Sequence, residues 1–255
     1  MRIKLQLKIT SDERILPINY QYAVSSWIYK TLNVSNPEFA SWLHEQGFSL
    51  KNKRFKLFCF SNIYFEKSQL QGEQIVSYSE NCSIILSFLV PDAAHHFVHG
   101  CFKNLDFVLG NKQHKLRLHV STVEVLPSPQ FSESMRFEAI TPVCISQIRP
   151  INGKSHCEYL SPLDEAYSSL LMKNTLTKHE AYTGEKLSDS KFSLKLLSEP
   201  ASKLIAITKN EKETIFIRGY KFHLELNTSP LLMKTCYYAG LGEKSSMGFG
   251  LIKAI

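Results

Sequence analysis

Arg2-Ile3-Lys4-Leu5-Gln6-Leu7-Lys8-Ile9 alternates without interruption, with Ile3, Leu5, Leu7 and Ile9 facing one way and Arg2, Lys4, Gln6 and Lys8 the other. A period of two is the signature of a strand with one buried face. The same charges break up the apolar run that a secretory signal would need, so this end is expected to be structure rather than an address. The elements after this strand decide the fold. Residues 19–32 carry Val24, Trp27, Ile28 and Leu32 at helical spacing. Asn36-Pro37 then reads as a cap and a first-turn proline, opening a short second helix that places Phe39, Trp42 and Leu43 on one face and ends near Gly47. Residues 51–60 begin as a basic turn and become a strand, a polar span occupies 66–80, and 82–90 form the next strand. Pro91-Asp92 opens a helix through Ala93, Ala94, Phe97, Val98 and Phe102, Gly110-Asn111 turns, and 115–126 alternates again through Leu116, Leu118 and Val120. The order is β, α with an extra helical turn, β, β, α, β, which is the ferredoxin-like (RRM-like) arrangement.

Leu126-Pro127-Ser128-Pro129, with two prolines and a serine between patterned segments, reads as an interdomain connection. Beyond it, 136–146 reads as extended and 162–182 as a helix through Leu163, Ala166, Tyr167, Leu170 and Leu171. Strands are expected at 192–197, 203–208, 214–218 and 221–226, a helix at 231–239 after Pro230, and a last strand at 248–255. Strands on both sides of two helices predict a second domain of the same type. The expected fold class is therefore α+β, two tandem ferredoxin-like βαββαβ domains over residues 1–126 and 130–255, although the halves show no sequence repeat.

A chain of 255 residues can bury a sizeable core, and its 44% hydrophobic and 21% charged content is that of a globular protein, not a disordered one. The excess of 30 Lys and Arg over 23 Asp and Glu gives +7, a bias that suits a polyanionic partner. The six cysteines lie far apart with no C-x-x-C pair, which excludes a legible zinc framework or redox motif. The longest apolar run, 82–90, is too short to span a bilayer. A cytoplasmic protein with no membrane association, and with reduced thiols filling its core, is expected.

Two side chains fall off the predicted core faces of their helices. At ~100° per residue, Tyr29 lies on the order of 120° from the Val24/Trp27/Ile28/Leu32 stripe and His44 roughly 150° from the Phe39/Trp42/Leu43 stripe. Each reads either as an ordinary rim residue or as a functional group. Lys51, Lys53, Arg54 and Lys56 interleave with Phe55, Phe58 and Phe60. That mixture suits single-stranded RNA, with cations on phosphates and rings on bases, and equally suits a lysine-protected edge strand. A tyrosine, a histidine and a lysine could together cut RNA without a metal, by removing a 2′-OH proton, stabilising the phosphorane charge and protonating the 5′-oxygen. Asp92, His95 and His99 share a helical face at metal-ligand spacing, but no Glu or Cys completes a set and a polar outer face is the better reading.

The chain's last segment, Gly240-Leu241-Gly242-Glu243-Lys244-Ser245-Ser246-Met247-Gly248-Phe249-Gly250, holds four of the 11 glycines. Paired glycines mark positive φ or a close approach. The loop reads either as a phosphate-holding concavity assisted by Lys244, Ser245 and Ser246 or as a kinked connection into a strand. Because it comes after a helix rather than opening one, it lacks the dipole of a nucleotide-binding P-loop.

Gly240-Leu241-Gly242 and Gly248-Phe249-Gly250, five residues apart, resemble the carboxy-terminal glycine-rich motif of the CRISPR-associated RAMP endoribonucleases, in particular the Cas6 family. Leu16-Pro17-Ile18-Asn19-Tyr20-Gln21-Tyr22, Trp27-Ile28-Tyr29, Trp42-Leu43-His44-Glu45 and Lys56-Leu57-Phe58 are similar to that family in order and spacing. The resemblance implies two tandem ferredoxin-like domains and a metal-independent endoribonuclease without cofactor. Such an enzyme binds CRISPR repeat RNA and cuts precursor transcripts into guide RNAs, leaving a 2′,3′-cyclic phosphate and a 5′-OH. It assigns catalysis to Tyr29, His44 and Lys56, with Lys51 and Lys53 as rivals for the lysine. RNA binding goes to Lys51, Lys53, Arg54, Gly240, Gly242, Lys244, Ser245, Ser246, Gly248 and Gly250. A non-catalytic RAMP-type RNA-binding subunit of a larger CRISPR complex is the alternative, and a monomer or homodimer, with or without interference-complex partners, is compatible with either.

Overall fold

The computed structural model describes residues 1–151, 154–188, 191–209 and 213–255. The first strand, Arg2–Ile9, lies in the middle of an antiparallel sheet ordered Asp106–Gly110, Lys115–Val125, Arg2–Ile9, Asn81–Phe88, Phe58–Phe60, with Tyr64–Phe65 also pairing Asn81–Phe88. Leu5 sits opposite Ile84 on one side and Val123 on the other. Ile3, Leu5, Leu7 and Ile9 are all buried, as the alternation requires. Helices α1 (Gln21–Ser35) and α3 (Pro91–Lys103) pack on this sheet, Trp27 stacking on Phe107 at 3.9 Å and meeting Phe97 edge-on at 5.5 Å. The extra helix, α2 (Pro37–Glu45), starts where the sequence places it: Asn36 Oδ1 accepts the Phe39 N–H at 3.0 Å, with Pro37 in the first turn.

In the second half, the sheet runs Ser193–Leu196, His223–Asn227, Ser134–Ala139, Ile252–Ala254, again antiparallel. Helices α4 (Ala166–Thr183) and α5 (Pro230–Ala239) make its crossovers. Reduced to sheet strands and crossover helices, and leaving aside the edge strand Asp106–Gly110, each half runs β, α, β, β, α, β. Its four strands lie in the spatial order fourth, first, third, second.

Four expectations change. The strand read over 51–60 is a hairpin, Phe48–Leu50 with Lys53–Phe55, and then a separate strand Phe58–Phe60, because Leu57 takes φ 54° and breaks the run. The polar span 66–80 holds the hairpin Ser68–Gln71/Gln74–Ser77, extended by Ile15–Pro17; its side chains are mostly polar, so the hydrophobic alternation that signals strands is missing. The hairpin Ser146–Ile151/Lys154–Tyr159 likewise has no counterpart in the sequence pattern. Arg2, placed on the solvent face by the alternation, is buried. Its guanidinium donates to the carbonyls of Ile252 at 2.8 Å and Tyr237 at 2.6 Å and lies 3.5 Å from the centre of the Tyr237 ring, so the second half covers that face of the first strand. One apolar core runs through both halves.

Candidate active site

Tyr29, which the sequence pattern alone places outside, lies at the edge of the face that α1 gives to the core and packs against it, and the tight passage through Asn36 into α2 brings His44 back beside it. The two rings meet edge-on, centroids 4.9 Å apart at 90°. Phe58 supports the far side of Tyr29 at 5.7 Å. Burial raises the Tyr29 phenol well above its ordinary value, so its hydroxyl stays protonated and serves as a hydrogen-bond donor. His44 is exposed in the last turn of its helix.

Lys56 reaches the same place from the strand side. Its Nζ lies 2.5 Å from the Leu43 carbonyl and 2.6 Å from the His44 carbonyl. These are carbonyls that the helix end leaves without helical partners, and a cation there also complements the helix dipole. Desolvation, with Arg54 second, lowers the Lys56 pKa from its ordinary value. An ammonium has three N–H groups, so one remains for a ligand.

Tyr29, His44, Lys56, Lys244 and Ser246 all line one cleft of about 820 Å³. Its other walls are the rest of α1 and α2 and the inner side of the hairpin Ala201–Lys209/Glu213–Lys221, through Ile207, Ile215 and Ile217. Lys51, Lys53 and Arg54 are exposed on the neighbouring hairpin and do not line the cleft; Arg54 donates instead to the Glu45 carbonyl at 3.0 Å. Of the three lysines considered from sequence, Lys56 is the one in the cleft.

The glycine segment has a packing explanation. Gly240, Gly242, Gly248 and Gly250 take φ of 84°, 80°, 84° and 75°. A Cβ on Gly242 would stand 2.5 Å from the Cys144 carbonyl, and one on Gly250 2.0 Å from that of Leu241. Many of the loop's N–H groups are used internally: Glu243 donates to Cys144, Gly250 to Pro142, Leu241 to Gly250, Met247 to Lys244 and Gly248 to Ser245. The four glycines and Ser245 are buried. Five of the loop's amides are thus committed within the fold, and Lys244, at φ 56°, Ser246 and Met247 are the loop residues that line the cleft.

Underneath this turn lies a residue that sequence reasoning missed. The Nζ of Lys178 is 2.6 Å from the Gly240 carbonyl and 2.5 Å from that of Gly242. It is fully enclosed, and burial depresses its pKa to about 8. A signal existed: Tyr167, Leu171, Asn174 and Lys178 recur at helical spacing, so the lysine lies on the buried stripe of α4.

The histidines of α3 do not form a metal set. His96 Nδ1 and His99 Nδ1 lie 3.3 and 3.0 Å from Ser35 Oγ. Among the described residues no group of three or more His, Cys, Asp or Glu could hold a metal ion. No disulfide links the six cysteines, five of which are buried. Among the described residues no helix is long and apolar enough to cross a membrane.

Comparison with known proteins bears on both halves. Residues 15–120 match the family model described as CRISPR-associated protein Cas6, N-terminal, and residues 126–254 the one described as CRISPR associated protein Cas6, C-terminal. "CRISPR-associated endoribonuclease Cas6 1" of Methanocaldococcus jannaschii is 26% identical over 252 residues, 99% of this chain and 92% of that relative. "CRISPR-associated endoribonuclease Cas6" of Pyrococcus furiosus is 27% identical over 258 residues, 99% of this chain and 89% of that protein. A solved structure described as "CRISPR associated protein Cas6" superposes with a TM-score of 0.80 at 25% identity, covering 100% of this chain and 99% of its own. With the two family models together spanning most of the sequence, the chain belongs to the Cas6 family of CRISPR-associated proteins.

Proposed function

We propose that this chain is a metal-independent endoribonuclease that binds CRISPR repeat RNA and cuts precursor transcripts into guide RNAs. The observation that carries the reading is the convergence of Tyr29, His44 and Lys56 on one cleft, with Lys244 and Ser246 on its rim. The 2′-oxygen beside the scissile bond attacks phosphorus, its proton leaves to a base, and the 5′-oxygen departs with a proton, giving a 2′,3′-cyclic phosphate and a 5′-OH. His44 is the proton-transfer group. Tyr29, held protonated by burial, orients the nucleophile or a phosphate oxygen by donating a hydrogen bond and is not the base. The remaining N–H of Lys56 faces the charge that grows on the phosphorane. RNA contacts outside the cleft fall to Lys51, Lys53 and Arg54 on the exposed hairpin and to Lys244.

The repeated strand order supports reading the chain as two tandem ferredoxin-like domains, residues 1–126 and 130–255, each with two hairpins inserted. The relatives' names support an RNA substrate. Buried, unpaired thiols suit a reducing cytoplasm. A monomer or homodimer, alone or with interference-complex subunits, fits the same surface.

Repeat RNA incubated with the protein in EDTA, with and without a 2′-deoxy nucleotide at the cut, tests the mechanism. Cleavage of the ribose substrate alone is expected. Cutting of the deoxy substrate, or a strict metal requirement, would overturn it; tight binding of repeat RNA without any cleavage would favour the non-catalytic RAMP-type subunit.

A further inference from the structure

A second cavity, of about 650 Å³, adjoins the catalytic cleft and shares Tyr22, Ser26 and Lys30 of α1 with it. Its volume is that of a small-ligand site. One wall is built and locked. Gln74 Nε2 lies 2.8 Å from His114 Nε2, and His114 Nδ1 lies 2.7 Å from Glu13 Oε1, which ties the Gln74–Ser77 strand to the turn after Gly110. That turn is itself ordered by Asn111 Oδ1, which accepts the N–H groups of Gln113 and His114 at 2.9 Å each. The partly buried Tyr22, packed against the cluster of Cys144, Ile207, Ile217 and Phe249, lines both cavities. Two side-chain carboxamides on the lining, those of Asn19 and Gln113, make no hydrogen bond among the described residues.

Uncommitted carboxamides beside an aromatic ring are the chemistry that reads the edge and face of an unstacked base. A carboxamide offers a donor and an acceptor together, which a phosphate cannot use as fully as a base edge can. Lys30, exposed and shared by both cavities, suits the phosphate that would link a nucleotide here to the one being cut. We propose that this second cavity is a subsite for one unpaired nucleotide next to the scissile phosphate, with Asn19 and Gln113 reading its base and Tyr22 lying against its ring. The proposal rests on the endoribonuclease reading of the adjoining cleft. It gives the enzyme sequence selection at the cut that the catalytic residues, facing ribose and phosphate, do not supply.

The test pairs the protein with RNA lacking single bases. Wild type, Gln113→Ala, Asn19→Ala and the double variant are measured against intact repeat RNA and a series in which each nucleotide flanking the cut is abasic in turn. Dissociation constants are taken with a 2′-deoxy cut site and rates with the ribose. The double variant is expected to weaken binding of intact RNA on the order of tenfold, with kcat within about twofold. One abasic position should weaken wild type by a similar factor and the double variant no further. Equal or purely additive losses at every position, or unchanged affinity in all three variants, would overturn the subsite. Because Gln113 lies in an exposed turn, its single variant keeps the test valid if Asn19→Ala is poorly folded. If wild type shows the single-position coupling in affinity but never cuts, the subsite stands and the catalytic reading falls.

Discussion

Lys178 Nζ sits 2.5 Å from the carbonyl oxygen of Gly242, so an enclosed ammonium on α4 fastens from below the loop that offers Lys244 and Ser246 to the cleft. Replacing it with methionine strands two buried carbonyls. Lys178→Met is expected to cost roughly 2–6 kcal/mol of stability, at about 1–3 kcal/mol per unmet acceptor. It should also weaken RNA binding, because Lys244 is no longer held. Chemical denaturation with and without RNA checks both.

The same lysine gives a pH signature. Its folded pKa, about 8, lies below the ordinary 10.5. Between these values the unfolded chain holds more protons than the folded one, so stability rises with pH there. The neutral amine still donates to both carbonyls. The gap between wild type and Lys178→Met should therefore be wider at pH 10 than at pH 7.5, measured as the difference in denaturant midpoints. An unchanged gap would mean that Lys178 is not depressed.

His44→Ala is expected to lower the cleavage rate by ~10²–10⁴, the usual worth of positioned proton transfer. Affinity for 2′-deoxy repeat RNA should stay within a few-fold. Loss of affinity in parallel with rate would make His44 a binding residue.

Tyr29→Phe removes a donor without disturbing the ring contacts to His44 and Phe58. A rate loss of ~10- to 100-fold is expected, in line with a hydrogen bond to a charged group. Since burial holds the phenol protonated, the rate profile of wild type should show no tyrosine ionisation below about pH 10. A rising limb in that range that disappears in Tyr29→Phe would restore the tyrosine as base.

Gly242→Val should fail by packing and Lys244→Ala by charge. The first forces a Cβ to within 2.5 Å of the Cys144 carbonyl at φ 80°, which predicts destabilisation of about 3 kcal/mol or more. The second should leave the melting temperature nearly unchanged, weaken RNA binding and reduce the slope of log K against log salt by roughly 0.7–1. Circular dichroism melts and binding at several salt concentrations separate the two.

Period-two and helical patterns were sufficient wherever an element buries one face and exposes the other. The first strand, α1, α2 and α3 are legible on that ground alone, while the Asn36-Pro37 boundary and the start of α5 at Pro230 are read from capping and proline chemistry. The outward position of His44 is legible too, since a helical wheel needs no partner to show which side chain has turned away; Tyr29, expected off the core face as well, instead packs against the core. The hairpins failed because strands such as Ser68–Gln71, exposed on both faces, carry no alternation to read. Only the tertiary structure could bring Tyr29, His44 and Lys56 to one cleft, where Lys56, and neither Lys51 nor Lys53, is part of the lining and reaches the helix end. It also decided the fate of the glycine segment and of Arg2 and Lys178, because the carbonyls that bury those cations belong to residues 62 to 250 positions away. Local periodicity records the face a residue shows to its own element; which distant backbone atoms complete its environment is set when the two halves pack.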